Sequence, residues 1–325
     1  MSVASLRKGQ ALPFEIFRDA LVDAIRAADP LQSGRPPRKS LLERRSALLN
    51  KRLERLSPAQ LNELAVIQVR LRDVDGALEA LKRAESLNPR DFVTLTTLGT
   101  AYQTRGQLSE AARYVDAAQD FAPDERWLEL MGLTREWLQK LERAQLKLLR
   151  LRMREGQGRP VRGQRPAVDV DELFPVKFVG PGGHYEAGKI ADAEKAKLPP
   201  DAVAVVQQLL LWTPEDTRLY WLLGELYNAR GDLSSADAIF EECVWSRRYN
   251  AEPLREHRLI VKEAIKARVP PPAPAPEDWK PSTSNLVLVG VAAGLLLLAL
   301  GYYQARELFR IVFRRRSSTP PSKRG

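Results

Sequence analysis

The amino-acid sequence predicts an all-α protein in which helix hairpins stack into a solenoid, with a small insertion carrying a β-hairpin and one transmembrane helix. Three observations carry that expectation. A pattern of small and aromatic residues repeats when residues 58–91 are laid over 92–125; apolar residues elsewhere fall at three- and four-residue spacing; and residues 286–303 hold no charged side chain. With 44% hydrophobic and 28% charged residues over 325 positions, the composition is that of a folded chain.

Residues 1–57 read as N-terminal helices. Phe14, Phe17, Leu21 and Ile25 line one over 13–28, and Leu41, Leu48 and Leu49 line another over 40–56. Pro13 suits a first helical position. The repeats follow. Ala77 and Ala111, Ala84 and Ala118, Pro89 and Pro123 occupy matching positions, and the second copy adds Leu98, Gly99, Tyr102 and Gly106. Small residues let two helices of a hairpin approach, large ones fill the space between turns, the glycine ends the first helix and the proline stops the second. A third copy at 217–250 carries Tyr220, Leu223, Gly224, Tyr227, Gly231, Ala236 and Phe240, with Cys243 where the others have alanine and Arg248 where they have proline. Cys243 reads as a small packing residue. Residues 200–216 look like the second half of a degenerate repeat.

This pattern resembles the tetratricopeptide-repeat family. The resemblance covers 58–125 and 200–250. It implies a binding scaffold with a concave groove for a protein or peptide, and it is silent on which one. Groove positions hold Asn62, Val66, Thr96, Thr100 and Gln103 in the first two repeats and Arg218, Trp221 and Glu225 in the third. They are mixed and mostly uncharged, which suits an extended segment. The Lys and Asn arrangement with which chaperone-binding members clamp a C-terminal carboxylate is missing, so that activity is not carried over.

Residues 126–155 read as one long helix, part of a run starting near Asp124, whose stripe of Leu130, Trp137, Leu141, Ala144, Leu148 and Leu151 caps repeat two. Lys140, Arg143, Lys147, Arg150 and Arg154 share another face, either solvated or a docking strip for anions. The insertion, 156–199, has β-formers at 176–179 and 184–186 around the Gly-Pro-Gly-Gly turn at 180–183, which predicts a β-hairpin; no Gly-Lys-Ser/Thr follows to make it a phosphate loop. A helix over 251–269 caps the third repeat, and a proline-rich spacer occupies 270–285.

Residues 286–303, as a helix rising ~1.5 Å per residue, match a bilayer core of ~30 Å. Trp279 and Tyr302–Tyr303 flank them as an interfacial belt. Gly290, Gly294 and Gly301 form a small-residue stripe on which a homodimer can pair. In the tail, 304–325, Arg310, Arg314, Arg315 and Arg316 suit lipid headgroups, and the region holds more than half of the net charge of +10, so anionic lipid explains the charge better than nucleic acid. The positive-inside rule puts this tail in the cytoplasm and the helical domain outside it, which calls for an export signal that residues 1–30 do not contain; the alternative is a tail-anchored cytosolic domain, as in an adaptor for membrane remodelling or organelle division.

One cysteine and two histidines leave little for metal ligation or histidine chemistry. Neither a nucleophile cluster nor a nucleotide loop appears, so no enzyme and no cofactor is expected.

Overall fold

Short polar residues set where the helices begin, and the computed structural model describes residues 9–157 and 170–268. Two helices, α1 (Phe14–Ala28) and α2 (Arg38–Leu49), precede the repeats. The helix expected over 40–56 stops at Leu49, because Asn50, Lys51 and Arg52 give it nothing apolar to bury; one 3-10 turn, Leu53–Arg55, leads on. Ser57 then accepts the Gln60 amide at 3.3 Å while the Gln60 side chain accepts the Ser57 amide at 3.1 Å, a reciprocal cap that opens α3 (Pro58–Arg70). Asp73 and Asp91 each accept the amide three residues on, opening α4 (Val74–Leu87) and α5 (Phe92–Thr104). After α6 (Leu108–Ala118) the long helix of the sequence reading is two helices, α7 (Glu125–Met131) and α8 (Arg135–Gln157). Gly132 takes the left-handed conformation at φ 67°, and the Thr134 hydroxyl caps a fresh start by accepting the Trp137 amide at 3.2 Å. The rest of the described chain comprises α9 (Asp192–Lys195), α10 (Ala202–Trp212), α11 (Thr217–Ala229), α12 (Leu233–Glu241) with a π-turn after it, and α13 (Glu252–Arg268).

Where the first helix of a repeat turns into the second, Gly106 and Gly231 sit at φ 81° and 80°, and the first repeat places Arg72 there at φ 66°. A residue with a Cβ is strained in this region by ~1–2 kcal/mol. Arg72 also pairs with Glu215 at 2.5 Å, but both side chains are substantially exposed and such pairs are worth little. Arg72→Ala and Arg72→Gly lose the pair equally, and only the second removes the strain. Arg72→Gly is therefore expected to melt ~2–4 °C above Arg72→Ala; equal melting temperatures would show that the turn carries no strain.

Within the hairpins the small residues mark helix contacts. A Cβ on Gly99 would come within 2.5 Å of Val115 Cγ2, and one on Gly224 within 2.5 Å of Phe240 Cε1. Cys243 is buried, and its thiol is pushed up to about 12 by that burial, as befits a packing residue.

The packing divides into two cores that meet at α8. Leu138, Leu146 and Leu149 join the core of α3–α6, while Trp137, Leu141 and Leu148 join that of α10–α12. The stripe expected to cap repeat two thus faces the other core, where α10 covers it, and repeat two is covered instead by the Leu138, Leu146 and Leu149 face; α8 packs on α6 and pairs with α10, with the insertion as their connection. α1 belongs to the second core through Phe14, Phe17 and Leu21. Phe14 meets Tyr227 edge-on at 5.7 Å, and Gln207 brackets the backbone of Leu12, accepting its amide at 2.8 Å and donating to its carbonyl at 3.0 Å. Ile25, read as part of the same stripe, is left 40% exposed.

The expected β-hairpin is absent: no strand forms among the described residues. The glycine turn is present, closed by Gly183 donating to the Gly180 carbonyl at 3.0 Å and Gly180 to His184 at 2.7 Å, with exposed His184 in the turn. Beyond the turn the flanks share one more backbone bond, Ala191 donating to the Val179 carbonyl at 2.8 Å, and no ladder forms because Phe178 is drawn into the core and residues 186–188 onto α11. Among the described residues no helix is long and apolar enough to cross a membrane. Residues 286–303, with Gly290, Gly294 and Gly301, and the tail with Arg310, Arg314, Arg315 and Arg316 lie outside the described residues.

Candidate functional site: the concave face

The first helices of the repeats, α3, α5 and α11, carry the groove positions, and the structure separates these into an open part and a closed part. In the open part, Val66 is 43% exposed and Thr96 and Thr100 are half-buried. The threonine hydroxyls spend their hydrogens on their own helix: Thr96 and Thr97 donate to Val93, Thr100 to Thr96 and Thr104 to Thr100, at 2.6 to 3.2 Å. What α5 offers outward is a row of methyl groups and acceptor lone pairs. Gln103 is held by Gln145 of α8 at 2.9 Å, which fixes the edge of this strip.

Asn62 is not in the open part. It is buried, donates to Asp91 at 2.8 Å and lies 3.0 Å from the Thr94 hydroxyl, so it ties the first repeat to the cap of the second. The third-repeat positions are also corrected. Trp221 and Glu225 are fully buried, with Trp221 Nε1 donating to Glu225 Oε1 at 2.6 Å and His257 Nδ1 2.7 Å from the same oxygen. Arg218 pairs with Glu155 at 2.6 Å and with the buried Asp171 at 3.4 Å. Beside it, Arg152 bonds Asp171 and Asp216; burial alone would lower its affinity for a proton, but the two carboxylates outweigh that and raise it. These residues fasten the insertion, α13 and α8 over the concave side of α11.

Sequence reasoning missed Tyr185, His257 and Gln145, since nothing local marks a residue that reaches another element. It also missed Glu142 on α8, only 3% exposed, with Oε2 buried and without a hydrogen bond. Burial pushes its carboxyl up to about 8. On the basic face, Lys140 is taken by Asp201 and Arg150 faces Asp116 at 3.4 Å. Among the described residues no group of His, Cys, Asp and Glu is arranged to hold a metal ion.

Stacked helix hairpins with small residues at their contacts and a concave face lined by their first helices define a helical-repeat scaffold. Models of the tetratricopeptide repeat match residues 69–133, from the end of α3 through α7, and residues 217–244, covering α11 and α12. These two matches support a tetratricopeptide-repeat protein. No curated protein matches the chain.

Proposed function

We propose that the chain is a membrane-tethered scaffold whose first two repeats hold a protein or peptide partner, in extended form, along Val66, Thr96, Thr100 and Gln103. The observation that carries this reading is the strip itself: an apolar side chain left 43% exposed beside a row of threonine methyls whose donors are already used. Such a surface suits a partner that brings its own amide donors and small apolar side chains. A photoreactive side chain introduced at Val66 is expected to give an adduct of discrete mass in cells, and one at Leu259, 55% exposed on α13, none. Equal labelling at both positions, or none at Val66, would remove the strip as a binding face.

The tether rests on the uncharged residues 286–303 and the arginines after them. In this reading the helical domain stands on the extracytoplasmic side with the tail cytoplasmic, Arg310, Arg314, Arg315 and Arg316 meet lipid headgroups, and the Gly290, Gly294 and Gly301 stripe pairs two copies. Deleting 286–303 is expected to release the protein into the soluble fraction with its helical circular dichroism unchanged. If the deleted form still resists alkaline extraction, the tether is elsewhere. Protease added to intact cells then separates this orientation from a cytosolic domain.

A further inference from the structure

The concave side of α11 is filled by the chain's own insertion, in the manner of a bound peptide. Gly188 donates its amide to Asn228 Oδ1 at 2.7 Å, and Asn228 Nδ2 donates to the Glu186 carbonyl at 3.2 Å. One side-chain amide thus satisfies a donor and an acceptor of the same short backbone stretch, a contact that needs no particular side chain on the segment held. Next to it Tyr185 stacks on His257, with ring centroids 3.6 Å apart and planes 6° apart, above the Trp221–Glu225 pair. Gly188, at φ 73°, allows the close passage: a Cβ there would meet Arg268 at 3.2 Å.

The fit is incomplete. The Tyr185 hydroxyl and Glu225 Oε2 are both buried and neither makes a hydrogen bond of sound geometry. Burial, and then the nearby Glu225 carboxylate, drive the phenol's pKa well above its ordinary value. The phenol faces Glu225 and Asn228 without reaching good hydrogen-bond geometry to either, so the contact is weaker than a well-formed buried hydrogen bond. The segment, residues 184–188, includes no fully buried residue. Leu173, Phe174, Phe178 and Ile190 anchor its two flanks in the core, whereas residues 181–184 and Lys189 are exposed.

We propose that residues 184–188 are a removable strap, occupying in cis a site on the third repeat that takes an extended peptide with an aromatic side chain where Tyr185 sits. Asn228 holds the backbone of either occupant, and Trp221, Glu225 and His257 form the floor under the aromatic ring. The inference is independent of any partner on the first two repeats. Hydrogen exchange on the full chain tests the strap directly. The Gly188 amide is expected to exchange by a local opening that does not respond to low denaturant, at least about tenfold faster than amides of α11 such as Leu223. A labelled synthetic peptide of residues 180–190 tests the site: it should bind Tyr185→Ala at least about tenfold more tightly than the wild type, and Tyr185→Ala/Asn228→Ala should lose that gain. The strap is overturned if Gly188 exchanges only with global unfolding, at the rate of α11, which the wild type alone decides. Equal binding of the peptide to wild type and Tyr185→Ala, or binding indifferent to Asn228→Ala, overturns the site.

Discussion

Trp221→Ala is expected to be among the most destabilising single changes in the helical domain, at ~4 kcal/mol or more. Truncating a fully buried tryptophan leaves a cavity that costs ~3–5 kcal/mol, and the change also takes from the buried Glu225 carboxylate the indole N–H that Trp221 donates at 2.6 Å. For a domain of this size the melting temperature should fall by ~8–16 °C. Trp221→Phe keeps most of the volume and loses only the donor, so it should fall by less than half as much. Melting curves of the two variants within ~2 °C of wild type would return Trp221 to an open groove and sink the account of the closed third repeat.

The second large effect is pH-dependent and comes from Glu142. Its folded-state value, about 8, lies above the ordinary 4.5, because a carboxylate buried without a partner is disfavoured. Between those values the unfolded chain is ionised at this residue while the folded chain holds a proton, so folding takes one up. The stability associated with the neutral group is therefore fully present below about 4.5, declines as pH rises, and is lost by about 8. Glu142→Gln keeps the shape and removes the titration. It should match the wild type at pH 4 and exceed it by ~3 kcal/mol at pH 7. Urea unfolding of both proteins at several pH values reads the difference directly, with other titrating groups cancelling. A gap that does not grow with pH would mean that Glu142 is hydrated and charged.

What the sequence disclosed, and what it withheld, follows from the range of the interactions. The hairpins were legible because Gly99, Ala111 and their counterparts are selected by contacts within a repeat; the caps that open their first helices, such as Asp91 and Asp216, act only three residues away but were not used in reading them. α8 was half legible: its Trp137–Leu141–Leu148 stripe stood out, while the second stripe was hidden because Glu142 and Gln145 interrupt it with polar residues that are buried all the same. The insertion misled because the β-formers at 176–179 were read as needing a strand partner, when the core took Phe178 and Asn228 took the backbone beyond the turn. Trp221 was assigned to a groove on the register of its repeat, which fixes which side of α11 it occupies but not what lies over that side. The cover comes from Tyr185 and His257, 36 residues before and 36 after it, and no local pattern reports it.

The attachment of α1 to the far half of the domain has a consequence for synthesis on the ribosome. Leu12 is bonded to a residue 195 positions later, and Phe14, Phe17 and Leu21 share a core with α10, α11 and α12. At ~5–20 residues per second, the part of the apolar face of α1 that packs on α10–α12 stays uncovered for ~10 to 40 s after it is made. The first two repeats, whose contacts are local, can close during that interval, while α1 waits beside them. A nascent chain therefore presents the apolar face of α1 to general holdase chaperones until α10–α12 are made, and truncated products lacking α10–α12 should be bound by them and removed.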